Sequence, residues 1–141
     1  MISKIIPLSL VLGALAVPSF SATDCSRESL AGRWFGGDFE AVCRIDLREN
    51  GRIRGFCIDS WEDFINGEWI RRSERFDLSG NFNIDSECKA RLRLVVEDDE
   101  GTDVVVFHGR FTGSASSRPD LANLSTGPNS EPALNITLHR D

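Results

Sequence analysis

Two histidines, His108 and His139, are the only imidazoles in the chain and the first candidates for acid–base chemistry near neutral pH. His108 occupies a polar position of an alternating stretch, and His139 lies near the end of the sequence. Neither belongs to a motif that combines a nucleophile with an orienting carboxylate. We therefore assign no catalytic residue, predict that both histidines lie on the surface, and favour a non-enzymatic role.

Cysteines and carboxylates are the next candidates, because both ligate metal ions. The cysteines stand at positions 25, 43, 57 and 88, without the close Cys-x-x-Cys or Cys/His pairs of a zinc site. The acidic run at 97–100, followed by Gly101, lacks the alternating spacing of a calcium loop and is predicted to be a solvated turn. We predict neither a metal site nor a cofactor.

Three large aromatic side chains, Trp61, Phe64 and Trp69, lie within nine positions of an irregular segment, 59–73. This segment is either a short helix that ends at Asn66-Gly67 or a small hairpin that turns there. Its aromatic side chains either plug one end of the fold or form a surface that binds a ligand or a partner. We favour the plug, because a small fold needs its end covered, and we keep the three residues as candidate binding residues.

The clearest structural element in the sequence is a β-hairpin. Apolar residues take every second position over 39–47 and again over 53–57, which is the period of strands with one buried face. A turn at 49–51 keeps the buried positions of the two strands opposite each other. In that register Cys43 lies across from Cys57, so the pattern predicts a cross-strand disulfide.

The other two cysteines, Cys25 and Cys88, are then left to form a second disulfide, although two other connectivities remain open. An even set of cysteines is typical of exported proteins, which fold in oxidising compartments. Residues 1–21 agree with export, because Lys4 precedes an apolar run that ends in Pro18 and small residues. We predict a signal peptide at 1–21, a single domain at 22–141, and a periplasmic or secreted location.

The charge of the chain limits its partners. Removing residues 1–21 takes away Lys4 and no acidic residue, so the formal charge of -6 becomes -7. An acidic chain of this kind is a poor candidate for binding nucleic acid. The apolar run is too short and too poorly flanked for a stable membrane span, so we expect none in the mature form.

Further alternating stretches at 75–84, 88–96, 105–111 and 134–138 predict additional half-buried strands. The segment from 112 to 132 is rich in Gly, Ser, Pro and Asn and is predicted to be a long loop that carries at most an edge strand. We predict an all-β fold, an antiparallel up-and-down β-barrel of about eight short strands stapled by disulfides. A two-sheet sandwich is the alternative.

Gly32-Arg33-Trp34 in the first strand and Arg140 in the last resemble the G-x-W motif and the late arginine of the calycin group of barrels, which includes the lipocalins. The resemblance implies that Trp34 closes one end of the barrel and that Arg140 packs across it. It also implies a barrel that carries a small apolar ligand.

Two further families of small barrels are similar in other motifs. The order of Ser29–Trp34, Cys43, Cys57 and Trp69 resembles periplasmic inhibitors of secreted metalloproteases, which insert their mature N-terminus into the protease cleft. The stretch from Gly80 to Cys88 resembles a repeated strand pair of secreted bacterial barrels related in shape to allene oxide cyclase. These resemblances imply a protease inhibitor and, third, a cyclase- or isomerase-like enzyme.

We therefore expect an exported binding module that binds either a protein partner or a small apolar ligand. The glycines and phenylalanines on the inward positions predict a filled barrel interior, which argues against a large cavity.

Overall fold

A computed structural model describes residues 24–38, 41–113, 118–130 and 133–141. The predicted signal peptide at 1–21 and Phe39 of the predicted hairpin lie outside these ranges. The described chain forms one closed antiparallel barrel in which each strand pairs with its neighbours in sequence and the last strand pairs with the first. The predicted up-and-down barrel is confirmed, and the sandwich alternative is wrong.

A short helix precedes eight strands. They are α1 (Arg27–Leu30), β1 (Gly32–Gly37), β2 (Ala41–Leu47), β3 (Arg52–Ile65), β4 (Glu68–Ile84), β5 (Lys89–Asp98), β6 (Gly101–Thr112), β7 (Leu121–Ser125) and β8 (Asn135–Arg140).

The hairpin of β2 and β3 has the predicted register, with Leu47 opposite Ile53 and Cys43 opposite Cys57. Cys43 is bonded to Cys57 and Cys25 to Cys88, so both predicted disulfides are confirmed. Two disulfides agree with an oxidising compartment, as a periplasmic or secreted location requires. No described helix is long and apolar enough to cross a membrane.

One strand differs from the sequence-based expectation. The segment predicted as at most an edge strand is β7, which pairs with β6 on one side and with β8 on the other. It is needed inside the wall because β8 must lie between β7 and β1 for the sheet to close. Its alternation is short and its flanks are rich in loop residues, which is why the sequence signal was weak.

Tight bends let so small a barrel close. Gly80 of β4 has a φ of +146°, and a Cβ there would lie 1.9 Å from the carbonyl oxygen of Arg93 on β5. Only glycine tolerates that approach, because any side chain would push the paired strands apart.

The two ends of the barrel are built differently. α1, the start of β1 and the end of β8 lie at one end, which we call the closed end. The end of β1, the start of β2 and the β3–β4 turn lie at the other, which we call the open end. The buried core runs between them and consists of Leu30, Trp34, Ile45, Leu47, Ile53, Cys57, Leu78, Phe82, Ala90, Leu92, Leu94, Phe107, Phe111, Ala122, Leu124 and Leu138.

Candidate functional site

The closed end is sealed by Trp34, which is fully buried. Its ring meets Phe111 edge-on with centroids 5.0 Å apart, and its indole Nε1 donates a hydrogen bond of 2.9 Å to the carbonyl of Leu30. α1 positions Leu30 because Ser26 caps the helix in a capping box with Ser29.

Arg140 lies directly opposite Trp34 in the β1–β8 pair, with its Cζ 4.7 Å from the centre of the indole ring. Its guanidinium donates to the carbonyls of Pro119 at 2.8 Å, of Ala31 at 3.0 Å and of Ser29. These contacts tie β8, the segment before β7 and the segment before β1 into one cap. The structure therefore brings together the two residues to which the calycin resemblance gave the role of closing the barrel.

Electrostatics at this cap act on Arg140 in opposite directions. Burial lowers the pKa of its guanidinium, the nearby Arg118 lowers that pKa further, and Asp120 raises it. An arginine keeps its charge at physiological pH despite a lowered pKa, because its ordinary pKa lies far above that pH. The cap is therefore a cation held against an aromatic ring and three carbonyl groups, an arrangement that stabilises structure.

The open end contains an apolar cavity of about 130 Å³. Asp38 is the one charged residue among those that the structure places on its wall, which otherwise consists of Gly37, Ala41, Cys43, Ile45, Cys57, Phe76, Leu78, Leu94, Val96, Val105, Phe107, Leu134 and Ile136. Pockets for drug-sized ligands span about 300–1,000 Å³, so this cavity suits a much smaller apolar group.

A two-stranded ribbon projects beyond the open end. β2 pairs with β3 only as far as Asp59, and β5 pairs with β4 only as far as Asp77. In the part of the chain that the structure describes, residues 60–65 and 68–73 therefore pair only with each other. We call this ribbon, 60–73, the β3–β4 arm; at about 3.4 Å per residue it extends for about 20 Å.

The arm turns at Asn66-Gly67, with positive φ angles of 52° and 84° at the two residues. This combination is typical of the type I′ hairpin turn that Asn-Gly favours. Of the two predictions for residues 59–73, the hairpin is confirmed and the helix is wrong.

The aromatic side chains lie on both faces of the arm. Phe64 and Trp69 are cross-strand partners on the face that continues the outer barrel surface, with ring centroids 5.1 Å apart. Trp61 lies on the opposite face, because an odd number of positions separates it from Phe64 on the strand. The three candidate residues therefore do not form one continuous surface.

Trp61 belongs to a polar network rather than to the aromatic pair. Its indole Nε1 donates to Oδ2 of Asp63 at 3.3 Å, and Nε of Arg72 approaches the same oxygen at 3.2 Å. Arg72 is the cross-strand partner of Trp61, so this network orders one face of the arm.

The plug interpretation is wrong. Trp61, Phe64 and Trp69 are 38%, 61% and 69% exposed, and none of them belongs to the buried core. The closed end is sealed by Trp34, and the open end carries these side chains out into solvent. Sequence reasoning missed this because alternation cannot show where a neighbouring strand stops pairing, and Asn66-Gly67 fits the end of a helix as well as the turn of a hairpin.

The candidate chemical groups stay dispersed. His108 and His139 are exposed on outward positions of β6 and β8. In the part of the chain that the structure describes, no three His, Cys, Asp or Glu side chains are placed to hold a metal ion. What the geometry offers is therefore a surface and a small apolar cavity.

Comparisons with known proteins return no family model, no curated protein and no solved structure that matches this chain. The closed eight-stranded barrel is compatible with a calycin-like architecture, while the named relatives remain resemblances carried by short motifs.

Proposed function

We propose that this chain is an exported, non-enzymatic binding module that docks its β3–β4 arm into a concave surface of a protein partner. The observation that carries the proposal is the exposed Phe64–Trp69 pair near the tip of the projecting ribbon. Exposed aromatic side chains of this kind dominate the binding energy of many interfaces once a partner buries them.

The exposed backbone of the arm supports the same proposal. An isolated two-stranded hairpin is marginally stable in water, and no described strand pairs with either edge of this arm. A partner that encloses the arm covers these edges as well as the aromatic pair. A projecting ribbon fits a cleft better than a flat surface, because only a cleft contacts both of its faces.

A periplasmic protease inhibitor is a specific form of this proposal, since a protease supplies such a cleft. The resemblance to metalloprotease inhibitors places their contact at the N-terminus. Here Cys25 is bonded to Cys88 beside the β4–β5 turn, at the closed end. The two modes of inhibition therefore use opposite ends of the molecule, which makes them separable by mutation.

The test compares two double variants in a quantitative pull-down from the host's exported fraction. Phe64→Ser with Trp69→Ser removes the aromatic pair, and Val42→Ser with Val104→Ser removes exposed apolar side chains elsewhere. We expect the arm variant to lose at least tenfold of the enrichment of the partner and the control variant to retain it. Equal enrichment by the arm variant and the unchanged protein would overturn the proposal.

Tryptophan fluorescence of the purified complex gives a second readout. Of the three tryptophans in the chain, Trp34 is buried and Trp61 and Trp69 are exposed. We expect partner binding to shield Trp69 from acrylamide quenching. Quenching that is unchanged when the partner saturates the protein would place the interface elsewhere.

A small apolar ligand is the second candidate, and the cavity at the open end favours it. An apolar cavity of about 150 Å³ in another protein binds benzene, so the cavity of about 130 Å³ here suits an apolar ligand no larger than benzene. We expect benzene to raise the thermal midpoint of the unchanged protein but not that of Val105→Phe, which fills the cavity. No shift in the unchanged protein would exclude carriage of ligands of this size. No observation on the described residues favours the cyclase-like enzyme.

A further inference from the structure

A cluster of cations on the outer wall of the barrel has no part in the proposed function. These side chains occupy outward positions of three strands, and we call the surface that they form the basic face. Its members are Arg52, Arg54, Lys89, Arg91, Arg93 and Arg110.

The register of the sheet arranges the basic face in rows. Lys89, Arg91 and Arg93 follow one another at every second position of β5, about 6.6–6.8 Å apart along the strand. Across the sheet, Arg93 lies beside Asn81, which lies beside Arg52. The cations therefore form a regular two-dimensional array rather than a chance pair.

Like charges lie directly opposite each other in this array. The ammonium group of Lys89 and the guanidinium group of Arg110 belong to cross-strand partners. Such an arrangement destabilises a sheet unless an anion lies between the charges.

Carboxylates are few on the same surface and lie at its margin, where Asp46 is the cross-strand partner of Arg54, and where Asp77 and Glu97 line a shallow pocket with Arg54. The segments 52–55, 79–84, 89–95 and 106–110 contain no Asp or Glu. Among the described residues, Lys89 is the one member of the basic face with a salt bridge, to Glu87 at 3.4 Å, and both side chains are more than half exposed. An exposed pair of this kind is weak, so the charges of the basic face remain available.

The acidic residues are concentrated at the open end instead. Segments 59–77 and 97–103 together carry eleven acidic residues against three arginines. The chain is therefore acidic overall but strongly polarised, and exposed charges more than about 8 Å apart are largely screened at physiological salt. These two segments carry a net charge of -8, and the rest of the chain carries +2, so the formal charge of -6 comes from the open end.

We propose that the basic face binds a linear acidic polysaccharide with repeating carboxylate or sulfate groups. Guanidinium groups bind such oxyanions through two parallel hydrogen bonds. The cations of β5 are regularly spaced along the strand, as the anionic groups are along such a polymer. Asn81 and Asn83 lie exposed between the cations and supply amide groups for sugar hydroxyls.

The composition of the face favours a polysaccharide over other polyanions. Single-stranded nucleic acid is held by stacking on aromatic side chains, and membrane surfaces are held by inserted apolar ones. The exposed large apolar residues of the described chain, Phe35, Val42, Ile58, Trp61, Phe64, Trp69, Ile70 and Val104, all lie outside the four segments of the basic face.

The test measures binding of a heparin decasaccharide to the disulfide-intact protein by calorimetry. Arg91→Ser with Arg93→Ser removes two charges from the basic face, and Arg71→Ser with Arg72→Ser removes two charges from the arm. We expect at least a tenfold loss of affinity for the first variant and less than a twofold change for the second. Affinity should also fall steeply with salt, since an oxyanion polymer releases counterions on binding.

Three outcomes overturn this proposal: no binding by the unchanged protein, equal losses in both double variants, or tighter binding to single-stranded DNA or phosphatidylglycerol vesicles than to the decasaccharide. The decasaccharide must also raise the thermal midpoint of the unchanged protein, because a ligand of the folded state stabilises it. Since the arm and the basic face are separate surfaces, loss of arm-dependent partner binding leaves this test unaffected.

Discussion

Trp34 and Trp69 show how differently the two ends of this barrel use the same residue type. Trp34 is fully buried, contacts Phe111 and Arg140, and donates a hydrogen bond from its indole N–H to the carbonyl of Leu30. Trp69 also lies in a strand, yet it is 69% exposed and meets only Phe64 among the ring contacts of the described chain. The strand conformation is shared, and the surroundings differ.

The difference shows that strand pairing decides the role of an aromatic side chain here. At the closed end β1 has neighbours on both sides, and Trp34 points inward to a core that surrounds it. At the open end the neighbours of β3 and β4 stop before the arm does. Among the described residues, no opposite barrel wall therefore faces a side chain on the arm.

The largest effect should come from emptying the closed end. We expect Trp34→Ala to lower the free energy of unfolding by about 4 kcal/mol, because it removes a fully buried aromatic side chain and leaves a cavity. Urea denaturation measures this loss. Trp69→Ala is the matched control at the open end and should change stability by less than about 0.5 kcal/mol. Comparable losses in both variants would break the contrast between the ends.

Removing the disulfide at the closed end should also cost more stability than removing the one at the open end. Cys25–Cys88 spans 63 positions and anchors the closed end, whereas Cys43–Cys57 spans 14 and lines the open-end cavity. In the chain-entropy model, replacing both cysteines by serine costs about 4 kcal/mol for the first pair and about 3 kcal/mol for the second. Urea midpoints of the two double variants measure the order, and the reverse order would contradict the model for this barrel.

Replacing Arg140, the cation at the closed end, tests the difference in stability between the two ends in a third way. Arg140→Ala leaves three carbonyl groups without their donor and should cost about 2–3 kcal/mol. Arg140→Lys keeps the charge but not the planar fork, so we expect it to recover only part of the loss. Arg71→Ala removes an exposed arginine of the arm as the control. Full recovery by lysine would show that charge alone stabilises the cap.

The smallest effect should come from removing the arm. Asp59 and Glu74 are cross-strand partners, so a two-residue Asn-Gly turn can replace residues 60–73 and keep the register. We expect the shortened barrel to retain its stability to within about 1 kcal/mol, because an isolated ribbon contributes little to the core. It should lose partner binding as completely as the Phe64→Ser, Trp69→Ser variant. Unfolding of the shortened chain would show that the arm is part of the fold.

Much of the fold was predictable because alternation and turn residues act locally. The Cys43–Cys57 pair followed from the parity of two strands and the length of one turn. The closing pair of Trp34 and Arg140 was found by resemblance, since the two residues are far apart in sequence and meet only when β8 lies beside β1. The position of β7 was missed because its short alternation lies among loop residues.

The candidate sites were less predictable because they depend on where pairing ends. The sequence placed three aromatic residues in one segment, but only the register separates Trp61 from Phe64 and Trp69. The sequence did not predict the basic face for a similar reason. Arg52 and Arg93 lie on different strands and share a row only because Asn81 pairs with both of them. Net charge concealed it further, because the acidic residues at the open end outweigh it.

The sequence by itself determined the strand class, the register of the β2–β3 hairpin and the inward parity of the core, because these depend on side-chain period and local backbone preference. Only the tertiary structure decided which strands have two neighbours, which aromatic side chains are buried and which charges lie side by side. Those outcomes depend on contacts between residues far apart in the chain, and local patterns carry no information about such distances.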